Sequence, residues 1–593
     1  MKNILPLLFT VLSFSAPLHA QDTPAWQKFV NGSADNILLD FSYAGYHHGL
    51  EAPPADVFSL GYKVYNVCDY GAIPDDGLSD RAALEAIIKE IGTGKPNANA
   101  IIYFPAGEYT LHTSADDTKD ATTGKVSSNT LNLIMGHVII KGDGRDKTTL
   151  VMGAPMQPQN PSQMYSSPVM LSIRHNGGGD NQLLAKVTGS AKKNDMSVDV
   201  DDASKLKVGD WVKLHMKNGD QKVIDEELNG LKATATMTNL KDGVEVIDRH
   251  QIKAIDGNRV TFEEPIMHAV NPDYGWEILT YSHYEEVGIE DLTFEGYSTE
   301  YFHHHQSWED DGAYKPLNFM RLVNSWLRRV DFRSVSECMT FQDCANNLCL
   351  DVEISGNRGH SAVRMARSSR GFIGKVYDHS DGYLDADKTF TSRKENLGQY
   401  HACGISKNSI GNVIWNCQWG DDACFESHAT QPRASLFDQC SGGFMQLRMG
   451  GDLSQLPNHL DDLTIWNFNC LANRISEFPF EWWYPTDAKW YKTMPPTVVG
   501  FHGKNVTFAE SQMKLNENQG QTVTPGSLYE AQLAHRLGYT PQWIVDAKNG
   551  ETGINGTTSK RAENNDGIYN INGQKVNDGY KGIVVKKGEK YIK

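Results

Sequence analysis

The chain has 593 residues, a formal net charge of −17 at neutral pH, and 39% hydrophobic residues. That length allows several average domains or one long repetitive fold. The acidic balance argues against nucleic acid as the main partner, and past the N-terminus no run of about 18 apolar residues could span a membrane.

Met1 to Ala20 carries Lys2, the apolar run Ile4 to Phe14, and Leu18-His19-Ala20 before Gln21. This is the pattern of a cleavable secretory signal. Gln21, not Cys, stands immediately after the cleavage point, so a lipid anchor is not expected. The mature protein is expected to be secreted, periplasmic or cell-surface, and a monomer.

Residues 21–182 are expected to hold an N-terminal segment, a capping helix and the first coils of a solenoid. Asp80 can cap an amphipathic helix from Arg81 to Ile91, with apolar positions at 83, 84, 87, 88 and 91. A strand over Ala100 to Phe104 and a Pro-Ala-Gly turn follow. A helix is a natural plug for the open end of a solenoid. The pair YGA–PDDG–SDRAAL–AI and IYFPAGEY resembles the opening of the pectate-lyase-like superfamily of right-handed parallel β-helices. That resemblance covers about 50 residues and implies an all-β right-handed parallel β-helix. The superfamily holds polysaccharide lyases, glycoside hydrolases and phage tailspikes, so it does not fix the reaction.

Residues 183–266 break the pattern with alternating strands and a Val208-Gly209-Asp210 turn. They are expected to form a small inserted β-barrel or sandwich, either a wall of a substrate cleft or a decoration.

The main coils are expected over 267–510. NSWLRRVDF, NLCLDVEI, RGFIGKVYD, NVIWNCQW, ASLFDQC and DLTIWNFN repeat one apolar motif. Taking Leu327, Leu350, Ile373, Ile414, Leu436 and Ile465 as a ruler gives steps of 23, 23, 41, 22 and 29 residues. Short β-rich runs at this period signal a solenoid in which no coil can bury its apolar face alone, with equivalent residues roughly 4.8 Å apart along the axis. Of the nine cysteines, eight lie between Cys338 and Cys470. They are expected as buried thiols used as hydrophobes, and no CxxC or histidine spacing points to zinc. His303-His304-His305 is expected at the rim of the cleft, because consecutive positions do not share one face.

The aromatic stretch 478–494 includes Trp482, Trp483 and Tyr484. These rings are either a sugar-stacking subsite or a packed lid. Ser527 is expected to cap a helix within a C-terminal segment, 511–550. The tail 551–593 resembles the short β-segment found at the C-terminus of exported Bacteroidetes proteins.

A second strand precedes each ruler residue: CMTFQD, HSAVRMA, HACGIS, ACFESH and GFMQLR. Alternation turns outward Gln342, Arg364, His401 or Ser406, Glu426 with His428, and Gln446 with Arg448. A solvated face would carry Lys, Ser, Thr and Asn at random, whereas this one gathers His, Arg, Glu and Gln on consecutive coils. The column is chemically suited to β-elimination at a uronate. That reaction needs neutralisation of the carboxylate, a base for the C5 proton and an acid for the departing O4. Arg448, Arg364 and Arg433 are candidate carboxylate partners. His428 is the candidate base beside Glu426, and Tyr400 or His401 the candidate acid. Gln342, Arg433, Gln446 and the aromatic stretch would bind the polysaccharide.

Glu426-Ser427-His428, followed one coil later by Leu447-Arg448-Met449-Gly450, resembles the alginate-lyase and chondroitin-B-lyase family. His428 stands where that family has Lys. The resemblance implies that Asp421, Asp422 and Glu426 hold calcium against the substrate carboxylate. Gly420-Asp421-Asp422 also resembles polygalacturonase-type hydrolases, in which Asp421 or Asp422 would work against Glu426 or Asp438 by inverting hydrolysis. The Gly-His-Gly and Arg-Ile-Lys of that pattern are absent after the Asp pair. A non-catalytic glycan-binding β-helix is the third alternative.

Overall fold

The computed structural model describes residues 22–445, 448–473, 479–484 and 492–550, and the backbone of four short strands beyond them. The predicted leader, Met1–Ala20, lies outside the described residues. Among those described, no helix is long and apolar enough to cross a membrane. The chain divides into a unit ending at Asn549 and a second unit, Gly550–Lys593. In the second, Ile568–Asn570, Lys575–Val576, Ile583–Lys586 and Glu589–Ile592 form one antiparallel sheet.

The first unit is a right-handed parallel β-helix. The chain passes repeatedly between two parallel sheets, for instance Trp326–Arg333, Glu337–Gln342, Leu348–Ser355, Ser361–Ala366, Phe372–Asp378 and then Gly404–Ser406. Successive passes pair in parallel within each sheet. One sheet runs from Lys63–Asn66 to Leu515–Glu517, and the other from Leu131–Leu133 to Glu426–His428. The helix Arg81–Ile91 forms over the predicted residues, and its face of Ala83, Leu84, Ile87, Ile88 and Ile91 joins the interior core. Asp80 precedes it without a side-chain cap and accepts instead from the amides of Ile73 and Thr110.

The register corrects the apolar ruler at two coils. Leu327 pairs with Cys349, then Ile373, Ile414, Phe437 and Ile465, so Leu350 and Leu436 each lie one residue off the interior column. The cause is that the longer sheet is apolar on both faces. Leu348, Leu350, Phe372, Trp415, Leu436 and Trp466 form a second core with the N-terminal segment, the inserted sheet and the terminal helices. A strand buried on both faces reads as a continuous apolar run, and alternation then fails to set its register. All nine cysteines are free thiols, and all but Cys68 are buried.

The inserted element is a six-stranded antiparallel sheet that takes in Glu277–Thr280 as well as strands from Leu183–Lys186 to Arg259–Phe262. Buried arginines fasten it to the turns that follow the shorter sheet. Arg370 Nη1 donates to Asp248 Oδ1 at 2.6 Å, and Arg249 Nη2 to Asp343 Oδ1 at 3.0 Å.

The helices Leu528–Leu537 and Gln542–Asn549 lie on the outer face of the longer sheet. Ser527 caps the first, accepting from the Glu530 amide at 3.1 Å. Asp438 accepts from Ser527 Oγ at 2.6 Å and from the Leu528 and Tyr529 amides at 3.1 and 2.8 Å. Asp438 is therefore a helix anchor on the opposite sheet from Glu426, and the hydrolytic pairing of those two carboxylates is not formed.

Candidate active site

Along the shorter sheet the register places Thr340, Arg364, Gly404 and Glu426 in one outward column, and Gln342, Ala366, Ser406 and His428 in a second. Gln342 lies three coils from His428, about 14 Å at one coil per 4.8 Å. Arg364 lies two coils from Glu426 and donates to Ser361 Oγ at 2.9 Å. A Cβ on Gly404 would overlap Glu426, and one on Gly450 would overlap the His428 ring. Only glycine lets these side chains sit as close as they do.

Glu426 is wholly buried between two imidazoles. Its Oε2 is 2.6 Å from His401 Nδ1, and its Oε1 contacts His428 Nδ1. Burial alone would raise this carboxyl, but His401 and His428 outweigh it and hold it well below the usual carboxylate range. His401 Nδ1 also faces the Arg448 carbonyl oxygen at 3.1 Å. Both neighbours of that nitrogen are acceptors, so Nδ1 carries the proton and Nε2 keeps its lone pair. The contact with Glu426 puts His428 in the same tautomer. Burial pushes His401 down to about 3 and His428 below the ordinary imidazole range, with Glu426 opposing in both cases. His428 keeps 25% of its side chain exposed.

Arg448 connects this pair to a second set of groups. Its Nη2 donates to Asp422 Oδ1 at 3.0 Å, and Arg358 Nη1 donates to Asp422 Oδ2 at 2.9 Å. The Arg448 guanidinium lies 4.0 Å over the Tyr400 ring, and that ring stacks on His304 at 3.8 Å. Burial pushes the Tyr400 hydroxyl up to about 12, although Arg448 pulls the other way. Arg448 Nη1 and Arg364 Nε are buried with no partner among the described residues.

The predicted set therefore divides. His428, Glu426, His401, Tyr400 and Arg448 come together, with Asp422 holding Arg448. Arg364 and Gln342 share their face of the sheet. Arg448 is not on a strand as expected, since that strand ends at Phe444. Gln446 lies outside the described residues. Asp421 is exposed, and the oxygens of Asp422 and Glu426 are taken by arginines and histidines. Among the described residues the clusters with metal-ligand spacing include neither Asp421 nor Asp422, so the expected calcium cradle does not assemble. Arg433 is turned away, with Nη2 on Glu227 at 2.9 Å and Nη1 on the Glu245 carbonyl at 2.7 Å, both in the insert. Trp482 is fully buried against Phe480, Phe508 and Phe444, which makes it core and not a sugar platform. Trp483 and Tyr484 are half-buried at the edges of the two cores.

Five residues outside the predicted set surround this end of the site. His304, His305 and His360 crowd the Tyr400–His401 end, with His304–His360 and His360–His401 ring centroids 5.3 and 5.0 Å apart. His360 Nδ1 lies 3.3 Å from Glu337 Oε1, which also pairs with Lys315 Nζ at 3.2 Å. Burial would raise Glu337, but Lys315 and His360 hold it below the usual range. The available signal was the run His303-His304-His305. The rule against consecutive ligands holds for a strand, but His305 has a φ of 58°, and this kink brings the His304 and His305 rings to 3.7 Å.

Residues 64–283 match the family model described as rhamnogalacturonase A/epimerase, pectate lyase-like. Residues 398–547, which hold Tyr400, His401, Glu426, His428 and Arg448, match a domain of unknown function, DUF4955. A search of curated proteins gave no match. Similar solved structures include the Gp54 tailspike of Acinetobacter baumannii bacteriophage AP22, solved with a capsular saccharide, at 11% identity and TM-score 0.39. That likeness covers 78% of this chain but only 65% of the tailspike, under two thirds of its length. The gp49 tailspike of Pseudomonas phage LKA1 is 12% identical with TM-score 0.39, over 77% of this chain and 79% of that one. A family 28 exopolygalacturonase of Yersinia enterocolitica is 9% identical with TM-score 0.28, over 77% and 70%. Residues 64–283 of this parallel β-helix are thus similar to the pectate-lyase-like rhamnogalacturonase A/epimerase domain, and the family model reaches no further along the chain.

Proposed function

We propose that this carbohydrate-active protein cleaves a uronate-containing polysaccharide by β-elimination. The observation that carries this reading is the buried Glu426 carboxylate, which fixes two imidazoles as neutral Nδ1–H tautomers beside Tyr400 and Arg448. His428, the more exposed imidazole, would take the C5 proton on Nε2. Arg448 and Arg364, each with a nitrogen unpartnered among the described residues, would receive the uronate carboxylate and lower the cost of charge developing at C5. Tyr400, protonated at neutral pH, would donate to O4 as the C4–O4 bond breaks and the C4–C5 double bond forms. With the leader read at Met1–Ala20, the enzyme would act outside the cytoplasm.

The inverting-hydrolase alternative needs one carboxyl that is protonated. Glu426 is held ionised by two histidines and Asp421 is exposed, so the geometry favours elimination. A binding module would not need a buried carboxylate aligning two bases. The test is incubation with alginate, pectate, dermatan and chondroitin sulfates, ulvan and glucuronan, while following the ultraviolet absorbance of an unsaturated uronate. A rise on one polymer supports elimination. New reducing ends without absorbance would overturn it in favour of hydrolysis, and absence of both across the panel would leave glycan binding.

A further inference from the structure

His304, His360 and His401 come from three separate places in the chain: a loop, the residue before strand Ser361–Ala366, and the residue paired with Ser361 on the next coil. Each offers one ring nitrogen, and these nitrogens lie within 4.8 Å of one another. His360 and His401 are 4% and 2% exposed.

The tautomers follow from the acceptors behind two of the rings. His401 Nδ1 is committed to Glu426 and to the Arg448 carbonyl, so its Nε2 lone pair points elsewhere, and His304 Nε2 lies 3.3 Å from it. Glu337 sits behind His360 Nδ1 at 3.3 Å, which leaves His360 Nε2 as a lone pair. That atom is buried and has no partner among the described residues. A proton shared by His304 and His401 would satisfy those two nitrogens but would leave His360 Nε2 an uncompensated acceptor, which costs free energy in a buried place. A cation bound by all three would satisfy the whole set.

We propose that His304, His360 and His401 form a binding site for a divalent transition-metal ion of the zinc type. Three imidazole nitrogens suit zinc and its neighbours, whereas calcium requires oxygen. Carboxylates behind the imidazoles, here Glu426 on His401 and Glu337 on His360, are the usual outer support of metal-binding histidines. Asp422 and Glu337 also pair with Arg448 and Lys315, at 3.0 and 3.2 Å, and offset the positive charge near the site. Asp311 holds His305 Nδ1 at 2.5 Å, and the His305 ring lies beside His304 and 5.5 Å from His360, so it is the next donor to hand. Three protein ligands leave a position open. The further claim that this position would take the substrate carboxylate rests on the elimination reading, while the site itself does not.

The test uses the full chain, stripped with EDTA, returned to chelator-free buffer and titrated with Zn2+ by calorimetry, with Co2+ as a spectroscopic substitute. The expected result is one Zn2+ per chain at micromolar affinity or tighter, visible Co2+ bands of a histidine-rich site of low coordination number, and no saturable Ca2+ binding. His304→Ala and His360→Ala should each weaken Zn2+ binding by more than about 100-fold. Glu337→Gln, which keeps all three imidazoles, should weaken it about 10–100-fold. If an alanine variant loses its circular-dichroism melt, Glu337→Gln decides. Zn2+ binding that is absent, or unchanged in folded His360→Ala and Glu337→Gln, overturns the site. Elimination assays with and without chelator separate the two claims. Zn2+ binding without elimination on any polymer keeps the site and refutes the reaction, and elimination without Zn2+ binding does the reverse.

Discussion

Glu426 Oε2 stands 2.6 Å from His401 Nδ1 while the other oxygen of the same carboxylate meets His428 Nδ1, so one buried group sets the tautomer of two rings. Removing that charge should disable both imidazoles at once. Glu426→Gln preserves volume but loses the charge, and its amide nitrogen donates where one of the two rings needs an acceptor. We expect kcat to fall about 10²–10⁴-fold, the range of a lost general base, with a KM shift of less than about threefold. A Glu426→Gln variant with near-normal kcat would remove Glu426 from the proposed mechanism.

Arg448 and His428 should fail in different ways. His428→Ala removes the proposed base and should abolish turnover with the melting temperature nearly unchanged, because part of the ring is exposed. Arg448→Ala leaves Asp422 still paired with Arg358, so the fold should hold while turnover is lost. Arg448→Lys keeps a charge but not the planar fork, and should retain a small fraction of activity with a raised KM. Steady-state kinetics beside thermal melts check all three, and near-full activity in either alanine variant would refute the site.

The buried histidines predict a direction for pH dependence, measured in chelator-treated protein. A base whose pKa is lowered stays deprotonated further into acid, so the acid limb of kcat/KM should lie below the ordinary imidazole value of about 6.5. Tyr400, pushed up to about 12, should cause no loss near neutrality. For stability the sign is set by His401. Its folded value is about 3, whereas the unfolded ring protonates near ~6.5. Between those values the unfolded chain binds the extra proton, so stability should fall as pH falls. A melting temperature that rises from pH 7 to pH 5 would contradict this.

Trp482 offers a test of core against sugar platform. It has no exposed surface, so Trp482→Ala should cost about 3–5 kcal/mol of stability. Trp482→Phe should leave KM unchanged. A large KM increase in a stable Trp482→Phe variant would restore the ring to the substrate.

The coil and its outward column were legible because a parallel β-helix repeats local geometry: the period, the helix at Arg81–Ile91 and the outward turn of Arg364, Glu426 and His428 all follow from short-range pattern. What failed was long-range. Leu350 and Leu436 sit one residue off the interior column because the second core buries the far face of their strands. The pairing of Asp422 with Arg358 and Arg448, and of Arg433 with Glu227, joins residues far apart in sequence and leaves no local trace. His304 escapes a strand-based reading because loop backbone, kinked at His305, does not obey strand alternation. Trp482 was ambiguous because composition does not distinguish a ring packed inward from one presented to sugar.

The layer over the longer sheet has a consequence for how the solenoid behaves as a polymer. An uncovered coil stack answers mainly to its nearest neighbours and can fray from either end. Here Tyr529 Oη donates to the Ala44 carbonyl at 2.8 Å, Gln532 Nε2 to that of Leu39 at 2.7 Å, and Asp438 grips Ser527. Both ends of the unit's sequence are thus tied across the middle of the stack. Adding or deleting a whole coil beneath this brace would shear it, so coil number should be locked there, while loops on the histidine side stay free to lengthen.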